Sequence, residues 1–197
     1  MDTEIDTGMD STRPVDWNGQ LAEQLDWHWR GQLRPRLDGL TDDEYRWEPV
    51  PGMWSIRPRG TSTAPITAGS GDFTMDYAYP APDPVPVTTI AWRMFHLTIA
   101  CFGMRAASHF GGPPVDFESY DYPGDAATAL ARLDGSYAAW IEGVRGLGPE
   151  ELRRPCGPAE GPWGEEPMAA LVLHINREAL HHGAEIALLR DLYRWKR

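Results

Sequence analysis

Apolar residues recur at helical spacing in four long stretches of this chain. Trp17, Leu21, Leu25, Trp29 and Leu33 mark one face of a helix over residues 17–37, and Gly39 supplies its stop. A short second helix is expected at "TDDEYRW", where Thr41 can cap the N-terminus and acids fill the first turn. The most hydrophobic candidate is "VTTIAWRMFHLTIACFGMRAASH", residues 87–109, closed by Gly111, Gly112 and two prolines. A third long helix covers residues 126–144, with Ala129, Leu133, Tyr137 and Trp140 as its stripe and Gly146 and Gly148 at its end. The last follows Glu165, Glu166 and Pro167, residues that helix N-termini favour. Between residues 48 and 86 Pro, Gly, Ser and Thr dominate and neither period is sustained, which predicts a long loop. It keeps Trp54, Phe73, Tyr77 and Tyr79, so it should pack over something. Four long helices and no convincing strand predict an all-α fold, a four-helix bundle with long connecting loops.

Length and composition narrow this picture. The 197 residues suit one helical domain over residues 16–197, preceded by a polar, disordered tail over residues 1–15. A formal net charge of −11 repels phosphate backbones and anionic lipid, so neither a nucleic acid nor a membrane is expected as partner. The acidic N-terminus has no basic or apolar signal region, and no segment of about 18 apolar residues occurs. Cys101 and Cys156 lack a metal-binding spacing and read as thiols of a reducing compartment, which predicts a cytoplasmic protein.

The last helix carries the chemistry. Three of the six histidines fall within nine residues of "HINREALHHGAEIALLRDLY". At 100° per residue His174, Glu178, His182 and Glu185 lie within about 80° of one another, beside Leu171, Ile175 and Leu189. This polar line borders the face that should be buried, and buried imidazoles and carboxylates need partners. Glu178 and His182, four apart, can converge on one ion, with His96 of "AWRMFHLTIA" as a third ligand from another helix. His174 and His181 are second-shell groups or alternative ligands, and Glu185 is an outer acceptor for a ligand or bound water. The competing reading makes His96 a hydrogen-bonded core residue and Glu178 part of an ion-pair network with Arg177 and Arg190. His28 reads as a packing residue and His109 as a helix-end cation.

These segments resemble the DinB/YfiT-like superfamily of metal-dependent helical proteins. The mid-helix histidine of "IAWRMFHLTIA" is similar to the family's ligand on its second long helix. His182 with "GAEI" matches the second histidine of the family's HxxxH and the run after it, whereas Glu178 stands where the first histidine would be. "EPVPGMWSIRP" is similar to the stretch that follows the family's first helix, with Trp54 and Ser55 as its Trp-Ser pair. The resemblance implies a divalent metal on His96, Glu178 and His182; a Glu in the set is compatible with zinc, nickel, iron or manganese. It also implies a thiol-dependent transferase or isomerase that uses a low-molecular-weight thiol, such as mycothiol or bacillithiol, on a small electrophilic substrate. In that reading the loop around Trp54 covers the substrate, Arg57 and Arg59 attract its carboxylate, and the chain pairs as a homodimer. The alternatives are a non-catalytic metal-binding or stress-related bundle, and a core network with no metal at all.

Overall fold

The computed structural model describes residues 14–196. Most of the expected N-terminal tail, residues 1–13, lies outside the described residues. Helix α1 opens on Asp16, whose carboxylate caps Gly19 N, and runs over Trp17–His28. It widens into a π-helical segment at Trp29–Leu33 and closes with Arg34–Arg36. The short helix α2, Asp42–Tyr45, is held by a reciprocal capping box between Thr41 and Glu44. Helix α3 starts at Ile90–Phe95, passes through a π-helical segment at His96–Gly103 and ends as Met104–Phe110. Then come α4 (Ala126–Arg145), α5 (Pro149–Arg153), a 3-10 segment (Pro158–Trp163) and α6 (Met168–Trp195).

The four long helices α1, α3, α4 and α6 enclose a core in which Leu25, Leu97, Phe102, Leu133, Trp140, Val172 and Ile186 are wholly buried. Trp29 stacks on Tyr137 with ring centroids 4.0 Å apart and meets Phe102 edge-on. Gly183 allows α1 and α6 to approach closely, since a Cβ there would sit 2.7 Å from Leu33 Cδ2. Glu44 and Arg190, both buried, pair at 3.1 Å and tie α2 to α6. Among the described residues no helix is long and apolar enough to cross a membrane.

The all-α expectation is overturned by the segment between α2 and α3. It forms a three-stranded antiparallel sheet, β1 (Ile56–Pro58), β2 (Ile66–Ala68) and β3 (Phe73–Tyr77), in the order β1-β3-β2. Ile56 pairs with Met75, and Ile66 with Tyr77. Two of the strands have only three residues, too few for an alternating pattern to show. The sheet is held from within by the buried carboxylate of Asp76. It accepts from Ser55 N at 2.9 Å, Arg57 Nε at 2.7 Å and Ser62 Oγ at 2.5 Å.

Arg57 has its remaining donors on Glu48, at 2.6 and 3.0 Å, and on Met53 O at 2.8 Å. The residue expected to attract a substrate carboxylate is therefore committed to internal acceptors. Arg59 is likewise engaged, by Gly69 O and Gly71 O. Trp54 is a buried residue rather than a cover. Its backbone receives Thr89 N and donates to Val87 O, which ties the segment to the start of α3.

Arg57→Met should lower the unfolding free energy by roughly 2–4 kcal/mol. That is near the low end for a broken buried pair, because Arg57 is partly exposed and the serines still serve Asp76. Urea unfolding measures it; a change below about 0.5 kcal/mol would show that Asp76 does not depend on this partner.

Candidate metal centre

Helix α6 presents His182 on its inner face, in line with the buried Ile175, Ala179 and Ile186. One turn earlier Glu178 places Oε2 3.1 Å from His182 Nε2, and three residues later Glu185 places Oε2 2.7 Å from His182 Nδ1. An ionised carboxylate only accepts, so each ring nitrogen faces an acceptor; an ion in place of the Nε2 proton would leave Nδ1–H donating to Glu185.

Helix α3 meets this stripe with two side chains. His96 lies edge-on to His182, ring centroids 4.7 Å apart, with Nε2 3.9 Å from Glu178 Oε2. Arg93, one turn before it, pairs with Glu185 at 2.7 Å. Trp92 stacks on the His96 ring at 5.6 Å, and its indole N–H donates to Asp76 O at 2.9 Å. Trp54 and Tyr77 extend that aromatic layer behind Trp92. The sheet thus reaches His96 through Trp92. The π-helical segment begins at His96, a distortion that often accompanies functional residues in helices. Burial, and then the charges of His182 and Arg93, push the His96 pKa down to about 4. Its imidazole is accordingly neutral at physiological pH, the form that ligates a metal.

One ligand atom from each of His96, Glu178 and His182 lies within 4.8 Å of the other two. Ligands about 2.0–2.2 Å from a shared ion stand roughly 3–3.5 Å apart, so these separations need only small side-chain adjustments. Two imidazoles and one carboxylate make a borderline donor set that fits a divalent ion and leaves coordination positions open. The residues could hold a metal.

His181, largely exposed, touches Glu185 at 3.4 Å, and His181, His182 and Glu185 form a second group of metal-ligating type on the other side of the His182 ring. His174 accepts from Arg177 at 2.6 Å and lies 3.7 Å from Glu178 Oε1, at the margin of the centre. Arg93 and Trp92 were missed by sequence reasoning. A charged residue three before His96 in an otherwise apolar helix was the available signal for Arg93. His109 lies in the last turn of α3, as expected, and contacts Glu160 at 2.9 Å. Cys101 is a buried thiol whose pKa burial raises to about 12, as expected of a small hydrophobe.

Comparison with known proteins adds one finding. No curated protein and no solved structure matches the chain. The family profile of the DinB superfamily matches residues 72–186, more than half of the chain. That span runs from β3 into α6 and includes Trp92, Arg93, His96, Glu178, His182 and Glu185. The chain belongs to the DinB superfamily.

Proposed function

We propose that His96, Glu178 and His182 hold one divalent ion, and that the protein is a thiol-dependent transferase or isomerase acting on a small electrophile. The observation that carries the metal part is the convergence of three ligand atoms from two helices within 4.8 Å. Membership of the DinB superfamily and the resemblance to thiol-using relatives favour the thiol part. A zinc, nickel, iron or manganese ion with an open position would lower the pKa of a thiol or water bound there.

The protein's own part in this chemistry is orientation and exclusion of water. Glu185 fixes the tautomer and angle of His182 through Nδ1, and Arg93 fixes Glu185 in turn. Trp92 covers one face of His96 and leaves its edge toward Glu178. With His96 held neutral, no proton has to be displaced from it before it ligates. In the proposed reaction the thiol gives up its proton to solvent and its sulfur forms a bond to the electrophilic carbon; in a transferase the displaced electron pair departs with the leaving group, and in an isomerase it enters the adjacent π system and returns to expel the sulfur after the bond has rotated.

Elemental analysis of protein purified without chelators or a His-tag is the first test. The wild type should carry close to one divalent ion per chain, and His182→Ala should carry almost none while its far-ultraviolet circular dichroism stays helical. Equal metal in both proteins would remove His182 from the ligand set. Glu185→Gln should retain the ion but weaken its affinity by about 10–100-fold, the usual cost of disturbing a partner of a ligating His. Unchanged affinity would mean that Glu185 does not support the site. The metal-loaded protein should consume mycothiol, bacillithiol or glutathione in the presence of an electrophile, and chelation should stop it. Thiol consumption indifferent to chelation would reject the enzymatic reading.

A further inference from the structure

The side of α6 turned away from the core should be polar, as on an ordinary surface helix. Its outward stripe instead carries Leu173, Leu188, Leu192 and Trp195, 48–84 % exposed, with the half-buried Leu180 and the small Ala184 and Ala187 between them. Scattered exposed apolar residues are ordinary, but these recur at helical spacing along one line about 33 Å long. The neighbouring α1 adds the exposed Trp17. A groove of about 720 Å³ runs between the two helices beside Trp17, Leu21, Leu173 and Arg177, and a second of about 310 Å³ continues it past Gly183 and Leu188 to Asp191.

The stripe is complementary to itself. A two-fold axis perpendicular to α6 sets the helix antiparallel to its own copy, and each contact is then made twice. With the axis at Ala184, Leu173 faces the partner's Trp195, Leu180 faces the partner's Leu188, and Arg177 faces the partner's Asp191. Apolar side chains meet apolar ones, opposite charges meet at two places, and the small Ala184 lets the helices approach where they cross. A parallel pairing would set Arg177 against Arg177 and Asp191 against Asp191. Arg177 is largely exposed, and Asp191, which accepts from Arg36 at 2.7 Å, keeps a second carboxylate oxygen for it. The groove beside Leu173 lies where the partner's Leu192 and Trp195 would arrive.

We infer that two copies of this chain associate through α6 and the adjoining edge of α1, antiparallel about Ala184. Two helices side by side offer a face of roughly 600–700 Å² per copy, a little under the usual size of a stable interface, which suits a reversible dimer. His181 lies on the same stripe, so pairing brings the partner's Ala187 over the outer metal-ligating group and leaves the inner group, which faces α3, unchanged. The pairing does not depend on the metal-dependent function proposed above.

Sedimentation equilibrium of the full chain at low ionic strength should show a monomer–dimer equilibrium with a Kd of about 1–100 µM. Leu188→Arg, at a position exposed in the single chain, should weaken it at least about 30-fold while circular dichroism stays that of the wild type. Arg177→Asp and Asp191→Arg each set like charges opposite one another at two places, and each should weaken self-association about tenfold. For Asp191→Arg the sign is diagnostic, because this change reduces the net charge of −11 and relief of general repulsion would tighten the dimer. Mixed in equal amounts, the two charge variants regain opposite charges at both contacts and should form a mixed dimer about as tight as the wild type. A chain that stays monomeric up to about 1 mM would assign the face to another molecule and overturn the inference. So would a dimer indifferent to Leu188→Arg, which carries the test if a charge variant does not fold, or a mixture no tighter than its two components.

Discussion

His182 is clasped at both ring nitrogens by carboxylates of its own helix, and this places a constraint on everything packed against α6. An imidazole and two acids on an inward face are tolerable only if the facing helix supplies charge and hydrogen bonds. Helix α3 supplies Arg93, which pairs with Glu185, and sets His96 3.9 Å from Glu178. The α3–α6 interface is therefore specified by polar registry as well as by apolar packing, because a shift of one turn would separate both pairs. The same registry directs the Nε2 atoms of two histidines and one carboxylate toward a shared point.

The sheet between α2 and α3 extends that constraint outward. Asp76 gathers Ser55, Arg57 and Ser62 with its carboxylate, and its carbonyl receives the indole N–H of Trp92. Trp92 then stacks on His96. What composition suggests is a covering loop is, in the structure, a buttress behind one of the candidate ligands. Trp54 takes part as a buried strut at the start of α3, and Arg57 as an internal cation for Asp76 and Glu48.

The long helices were legible because amphipathic stripes of fifteen or more residues repeat the helical period several times, and their ends carry glycine or capping residues. The ligand candidates were legible for a related reason: a histidine in the apolar run around His96, and an ExxxH on a buried-facing stripe, are conspicuous against their surroundings. The sheet was not legible. Its strands are short, its central strand buries Thr74 and Asp76 beside Met75, and the polar pairings that hold it join residues from 48 to 92. The role of Arg93 also depends on which neighbour it meets, and that is fixed by helix packing rather than by local spacing. The two π-helical segments had no counterpart in periodicity; the one at His96–Gly103 shifts the register of side chains after His96 in a way that a regular 100° step does not describe.

The stripe on α6 offers two groups of metal-ligating type that share His182. One uses His96 and Glu178 and faces the partner helix; the other uses His181 and Glu185 and lies toward solvent. Glu185 is already held by Arg93, and His181 is the more exposed imidazole, so the inner group is the better desolvated and the better supported. Anomalous diffraction at the absorption edge of the bound metal, from crystals of the metal-loaded protein, distinguishes the two directly. This account requires one peak about 2.0–2.2 Å from His96 Nε2, a Glu178 carboxylate oxygen and His182 Nε2. A peak on His181, His182 Nδ1 and Glu185, or no peak at either group, would contradict it.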